Sequence, residues 1–137
     1  MKYLSKINTH KILSLILWFI ALHSFIVGIG LITMPSNIIE YLGFTSGGDR
    51  FFQEQGGMFH IIMAAAYTLP AIKINKFESL ILFAIVVKIS ATIFLFVYYF
   101  FASRILIVLL SGITDFLMAV VILLVYILYR QQNRQIN

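Results

Sequence analysis

Four ionisable side chains stand inside long apolar runs of this sequence, one in each run: His23, His60, Lys88 and Asp115. Imidazole, ammonium and carboxylate groups can carry protons, bind metals or hydrogen-bond a polar head group. Near the centre of a bilayer, a Lys or Asp costs at least about 2–3 kcal/mol unless it faces the protein interior, a counterion or water. The four residues are therefore predicted to share one polar site inside a small membrane protein.

A second polar group leads into the second apolar run, where Arg50, Gln53 and Glu54 precede Gly56 and His60. Arg50 and Glu54 are four residues apart and are predicted to pair on one helix face. Gln53, Gly56 and His60 share another face, because steps of three, four and seven residues align on a helix. These five residues together are called the polar stripe below. They predict either the mouth of an outward-facing cavity, gated by Arg50 and Glu54, or an interfacial ion pair without a binding role.

The composition defines the class of protein that must position these groups. Of the 137 residues, 61% are hydrophobic and 11% are charged, which is too few polar residues to cover a soluble domain. The absence of cysteine excludes disulfides, thiolate metal sites, iron–sulfur clusters and dithiol redox chemistry. The net charge of +5 comes from basic residues near the ends of the apolar runs, so no nucleic-acid partner is expected.

The apolar runs cover residues of about 12–32, 51–72, 80–101 and 105–129, and each is long enough to cross a bilayer as a helix. Between the first two runs, residues 35–43 are predicted to form a short interfacial helix that Gly43 ends. The basic residues on one side of the membrane are then Lys2, Lys6, Lys11, Lys73, Lys76, Arg130 and Arg134, and those on the other are Arg50 and Arg104. This asymmetry places both termini in the cytoplasm. The predicted fold is all-α: a single integral membrane four-helix bundle over residues 1–137.

The same arrangement predicts the depths of the ionisable residues. At about 1.5 Å per residue, His23 and His60 both lie about 13 Å below the outer boundary, Asp115 about 15 Å and Lys88 about 20 Å. Small residues at helical neighbour positions are predicted to face other helices. They are Gly56, Gly57 and Ala64 around His60, Ala84, Ala91 and Thr92 around Lys88, and Ser111, Gly112 and Ala119 around Asp115.

Two interpretations of the four residues stay open. In the first, Lys88 and Asp115 form a buried ion pair that docks the third run on the fourth, and each histidine bonds a carbonyl or hydroxyl group of a neighbouring helix. In the second, the residues form a functional site, which is the usual role of ionisable groups within a membrane.

The functional interpretation allows several chemistries. A pocket lined by His, Glu and Lys with apolar walls suits a small amphiphile such as a quinone or a lipid. Alternatively, His23 and His60 ligate a haem iron or another metal, or the chain is a subunit of a proton-coupled transporter. A further alternative is an accessory subunit of a membrane complex or a homo-oligomer. Serine-hydrolase, phosphate-loop and zinc-protease motifs are absent, and enzymatic activity is left open.

The chain also resembles a known group. Its size, four apolar runs, cytoplasmic termini and the polar start of the second run, Arg-Phe-Phe-Gln-Glu-Gln-Gly-Gly at residues 50–57, resemble the DoxX-like family of small four-span bacterial membrane proteins. The resemblance implies a location in the bacterial cytoplasmic membrane. Some members of that family are linked to quinone-coupled sulfur oxidation or to redox-stress complexes.

Overall fold

The computed structural model describes residues 8–44 and 50–134, and within these ranges it contains helices and no strand. The helices are α1 (Thr9–Thr33), α2 (Ser36–Tyr41), α3 (Phe51–Ile72), α4 (Glu78–Phe101) and α5 (Leu106–Arg134). The all-α prediction is confirmed, and each long helix follows a predicted apolar run with ends shifted by up to five residues. Lys2 and Lys6, which contributed to the predicted orientation, lie outside the described residues.

Local sequence signals explain where the first two helices begin and end. The side chain of Asn8 caps α1 by accepting a hydrogen bond from the backbone nitrogen of Lys11 at 3.1 Å. Pro35 follows the end of α1, where its missing N–H group stops the helix. The short helix α2 has no buried residue and is followed by Gly43 at φ +96°, a left-handed conformation that glycine adopts without strain. The prediction of a short surface helix closed by Gly43 is confirmed.

The four long helices form two antiparallel hairpins. α1 packs most extensively against α3, and α4 packs most extensively against α5. The α1–α5 and α3–α4 contacts are smaller and join the hairpins into one ring of four helices. The end where α1 begins and α5 ends is called the terminal end below, and the opposite end is called the α2 end.

The apolar core occupies the half of the bundle nearer the terminal end. Its largest fully buried apolar side chains are Leu13, Leu17, Ile20, Tyr67, Ile74, Ile81 and Ile122. At the terminal end itself, Tyr126 donates a hydrogen bond to Glu78 at 2.6 Å, and Tyr129 donates one to Asn75 at 2.5 Å. These bonds tie α5 to the start of α4 and to the turn that precedes it.

The outward faces of the long helices are apolar as well. Exposed residues include Leu15, Phe19, Ile26, Phe59, Val86, Phe94, Leu117 and Leu124. α1, α4 and α5 are each long and apolar enough to cross a membrane. α3 is not in that group; its first turns contain Gln53, Glu54 and Gln55, and His60 follows. The described residues thus form a helical protein with three candidate membrane spans, one fewer than the sequence predicted.

Candidate functional site

Lys88 and Asp115 form a buried ion pair between α4 and α5. The Lys88 ammonium donates a hydrogen bond to Asp115 Oδ1 at 2.5 Å, and the two side chains are 3% and 10% exposed. Lys88 is thirteen residues from the α2 end of α4, whereas Asp115 is nine residues from that end of α5. The long lysine side chain reaches across the difference in depth that the sequence predicted. Each charge therefore has its counterion within the bundle.

Two histidines lie beside this pair with unused hydrogen-bonding capacity. His23 on α1 and His60 on α3 are partly buried, and the Nδ1 atom of each is buried without a hydrogen-bond partner among the described residues. Both rings lie within electrostatic reach of Lys88 and Asp115, and His60 also lies within reach of His23. One residue from each long helix thus contributes to a single region, which is called the polar site below.

A reciprocal glycine contact sets the register of the two histidines. A Cβ atom built on Gly28 would lie 2.7 Å from the backbone oxygen of Gly57, and one built on Gly57 would lie 2.7 Å from the backbone oxygen of Gly28. The two backbones therefore touch, as small residues allow in membrane helix pairs. His23 precedes Gly28 by five residues and His60 follows Gly57 by three. In an antiparallel pair the histidines then differ in depth by about 3 Å.

The same contact bears on whether the two histidines can hold a haem. A bis-histidine haem needs the macrocycle to lie between the two ligand-bearing helices. α1 and α3 are in backbone contact at Gly28 and Gly57, less than two turns from both histidines, so a flat macrocycle between His23 and His60 would have to push the two helices apart. His23 and His60 therefore do not fit the axial ligands of a haem held between α1 and α3. Among residues 8–44 and 50–134, no group of three or more His, Cys, Asp or Glu side chains is placed to hold a metal ion.

The polar stripe at the start of α3 makes contacts that the sequence did not predict. Arg50 donates hydrogen bonds at 3.1 Å to the backbone oxygens of Ile32 and Met34, and Gln53 donates one at 2.6 Å to that of Leu31. The last carbonyl groups of a helix have no partner within it. Arg50 and Gln53 supply donors to the C-terminal end of α1, so both residues hold α3 against α1.

Two other residues of the stripe have different surroundings. The predicted pair between Glu54 and Arg50 is present, with 3.6 Å between Arg50 Nε and Glu54 Oε1 and substantial exposure of both side chains. A Cβ atom on Gly56 would meet no atom within 4 Å, whereas Gly57 packs tightly against α1. The prediction that small residues around His60 face a neighbouring helix is right for Gly57 and wrong for Gly56. The open space beside Gly56 lies one helical turn from His60.

The small residues around the ion pair divide in the same way. Gly112 lies against the ring of Phe96, which its missing side chain accommodates, and Ser111 is exposed on the outer surface of α5. Of the small residues predicted around Lys88 and Asp115, the ones that are buried are Ala84, Thr92, Gly112 and Ala119. The prediction that Ser111 faces a neighbouring helix is wrong, because it lies next to Gly112 on the helix and the 100° step between them turns it outward.

Sequence reasoning missed two residues that shape the polar site. Gly28 lies five positions from His23, outside the offsets of three and four that mark one helix face, so only the partner helix reveals its role. Tyr67 is 1% exposed and lies within electrostatic reach of Asp115. Its position seven residues after His60 places it on the same face of α3, which was the available signal.

Comparison of the chain with protein-family models, with curated proteins and with solved structures finds no match. The class of protein therefore rests on the fold and on the polar site alone: an α-helical protein with three helices that are long and apolar enough to cross a membrane, and with ionisable groups between its helices. The resemblance to the DoxX-like family stays a prediction.

Proposed function

We propose that the chain crosses the bacterial cytoplasmic membrane four times, with both termini in the cytoplasm. Support for the fourth span comes from the contacts between α3 and α1. Ser14 donates a hydrogen bond to the backbone oxygen of Ala71 at 2.6 Å, and Gln53 bonds the backbone oxygen of Leu31. Between Ser14 and Leu31, α1 rises about 26 Å, close to the thickness of the hydrocarbon core. If α1 spans the membrane, α3 lies beside it along nearly the whole crossing.

The charges at the two ends support the orientation. At the terminal end the described basic residues are Lys11, Lys73, Lys76, Arg130 and Arg134, and at the α2 end they are Arg50 and Arg104. An excess of Lys and Arg marks the cytoplasmic side. The terminal end is therefore proposed to be cytoplasmic and the α2 end to face outward.

The absence of cysteine allows a direct test of the span count. Single-cysteine variants Glu40→Cys, before α3, and Lys76→Cys, after it, are treated with a membrane-impermeant maleimide in spheroplasts. With four spans, the cysteine at position 40 reacts in intact spheroplasts and the one at position 76 reacts only after permeabilisation. Equal labelling of both positions in intact spheroplasts would place them on one side, and α3 would then not cross the membrane.

Within this topology, we propose that the polar site binds the head group of a small amphiphile, a quinone or a lipid, from the outer half of the membrane. The observation that carries this proposal is the pair of buried Nδ1 atoms of His23 and His60, which find no hydrogen-bond partner in the described parts of the chain and lie beside a buried ion pair. Buried polar atoms in proteins nearly always have a partner. A head group that hydrogen-bonds both imidazoles would supply partners, and the apolar helix faces would hold its chain.

The position of the apolar core favours a one-sided site over a transport path. The polar site lies on the α2 side of the core, whose side chains Leu17, Ile20, Ile81 and Ile122 have no exposed surface. These residues fill the interior between the polar site and the terminal end. A ligand or proton that reaches the histidines from the outer side thus meets a closed apolar layer.

An accessory role in a membrane complex is the second candidate. It is favoured by the ion pair itself, because Lys88 and Asp115 satisfy each other and join α4 to α5 without any ligand. In this alternative the polar site maintains the helix arrangement that a partner subunit recognises, and the histidines bind no small molecule.

The two candidates differ in whether the histidines affect ligand binding. The protein is purified in a non-ionic detergent, and binding of a decyl-substituted benzoquinone is measured by native mass spectrometry. We expect the wild type to bind it, and His23→Gln and His60→Gln each to weaken binding about tenfold, the effect of losing about 1.4 kcal/mol of hydrogen bonding.

The matched control is His10→Gln, which changes the one histidine of the chain outside the polar site. His10 lies at the terminal end, beside the Tyr129 ring. This variant is expected to bind the quinone like the wild type. No binding by the wild type, or an equal effect of all three substitutions, would contradict the amphiphile proposal and favour the accessory role.

A further inference from the structure

The charges around the polar site are balanced. Lys88 and Asp115 cancel each other at 2.5 Å. The other ionisable side chains of the region, His23, His60 and Tyr67, are uncharged at pH 8 in their ordinary states. A site of this kind offers hydrogen-bond donors and acceptors and no net charge.

The described charged residues near the α2 end do not change this balance. Arg50 is held by the carbonyl groups of α1 and by Glu54. Glu40 and Arg104 are exposed on the surface, outside the bundle. Among the described residues, no further charged side chain is buried with the Lys88–Asp115 pair. A charged head group in the polar site would therefore have no counterion of its own.

We propose that the polar site selects an uncharged head group that carries hydroxyl or carbonyl groups. A neutral imidazole provides one N–H donor and one nitrogen acceptor, which match a hydroxyl or a carbonyl group. An ammonium or phosphate group would have to lose its water and either remain unpaired or break the Lys88–Asp115 bond, and both carry a large desolvation penalty. Phenols, quinols and long-chain alcohols fit this class, and phospholipids and fatty acids do not. This inference rests on the amphiphile-binding function proposed above.

Three probes of equal chain length test the selection: 4-dodecylphenol, dodecylamine and dodecyl phosphate. Each is added to the purified protein at pH 8 in a non-ionic detergent, and the bound fraction is measured by native mass spectrometry. We expect the wild type to retain the phenol at least tenfold better than the amine or the phosphate. We also expect His23→Gln and His60→Gln to reduce retention of the phenol.

Variants that change the charge of the polar site test whether its neutrality determines the preference. Asp115→Asn leaves Lys88 without its counterion, so the preference is expected to shift at least tenfold towards dodecyl phosphate. The control Glu40→Gln makes the same change in net charge on the exposed surface of α2 and is expected to leave the preference unchanged. If Asp115→Asn does not fold, the double variant Lys88→Gln/Asp115→Asn keeps the site neutral and should keep the preference for the phenol.

The outcomes separate this inference from the function on which it rests. Histidine-dependent retention of the amine or the phosphate by the wild type, at the level of the phenol, would overturn the selection and leave amphiphile binding standing. Retention that does not depend on His23 or His60, or no retention of any probe, would overturn both proposals.

Discussion

Replacing Asp115 with leucine is expected to lower the free energy of unfolding by about 3–5 kcal/mol, because Lys88 then keeps a buried charge without a counterion. Lys88→Met is expected to have an effect of similar size, since it leaves the Asp115 carboxylate unpaired. The unfolding of each variant is measured by titration with sodium dodecyl sulfate in mixed micelles and followed by circular dichroism.

The double variant Lys88→Met/Asp115→Leu gives the decisive comparison. Apolar side chains of similar volume often replace a buried ion pair at little cost or with a gain. We therefore expect the double variant to recover most of the stability that either single variant loses. Additive losses in the double variant would show that each side chain has important contacts apart from the ion pair.

Replacing Gly57 with alanine is expected to lower the free energy of unfolding by about 1–3 kcal/mol, the usual cost of inserting atoms into a close contact. The new Cβ atom would lie 2.7 Å from the backbone oxygen of Gly28, so α1 and α3 must separate. The separation also moves His60 relative to His23, and binding of the benzoquinone probe is expected to weaken together with stability.

Gly56→Ala is the matched control for this prediction. It makes the same chemical change one residue away, where a Cβ atom meets open space. Alanine is favoured over glycine within a helix by about 1 kcal/mol, so this variant is expected to be as stable as the wild type or more stable. Equal destabilisation by both substitutions in the detergent titration would argue against the close contact between α1 and α3.

The sequence was most informative where a single residue would be energetically costly without a particular partner or backbone conformation. A lysine and an aspartate in separate apolar runs each need a partner, and the structure brings Lys88 and Asp115 into contact. The short surface helix α2 was also predictable, because Pro35 and Gly43 act through local backbone conformation. These features depend on a few neighbouring residues or on one unavoidable pairing.

The features that escaped prediction depend on the register between helices. Spacing along one helix does not tell which of two adjacent glycines meets a neighbour, and only the position of α1 separates Gly57 from Gly56. The role of Arg50 is of the same kind. Its contacts with the backbone of α1 require the end of that helix to lie beside the start of α3. Hydropathy alone likewise does not settle whether α3 spans the membrane, because its polar first turns lower its apolar character.

The polar start of α3 also has a consequence for biosynthesis in the proposed four-span topology. A segment with Gln53, Glu54 and Gln55 in its first turns partitions poorly into lipid by itself, because polar side chains raise the cost of insertion. Its partner α1 offers one close glycine contact, between Gly28 and Gly57, and backbone carbonyl groups for Arg50 and Gln53. In that topology we expect α3 to enter the bilayer together with α1, as the second helix of a helical hairpin.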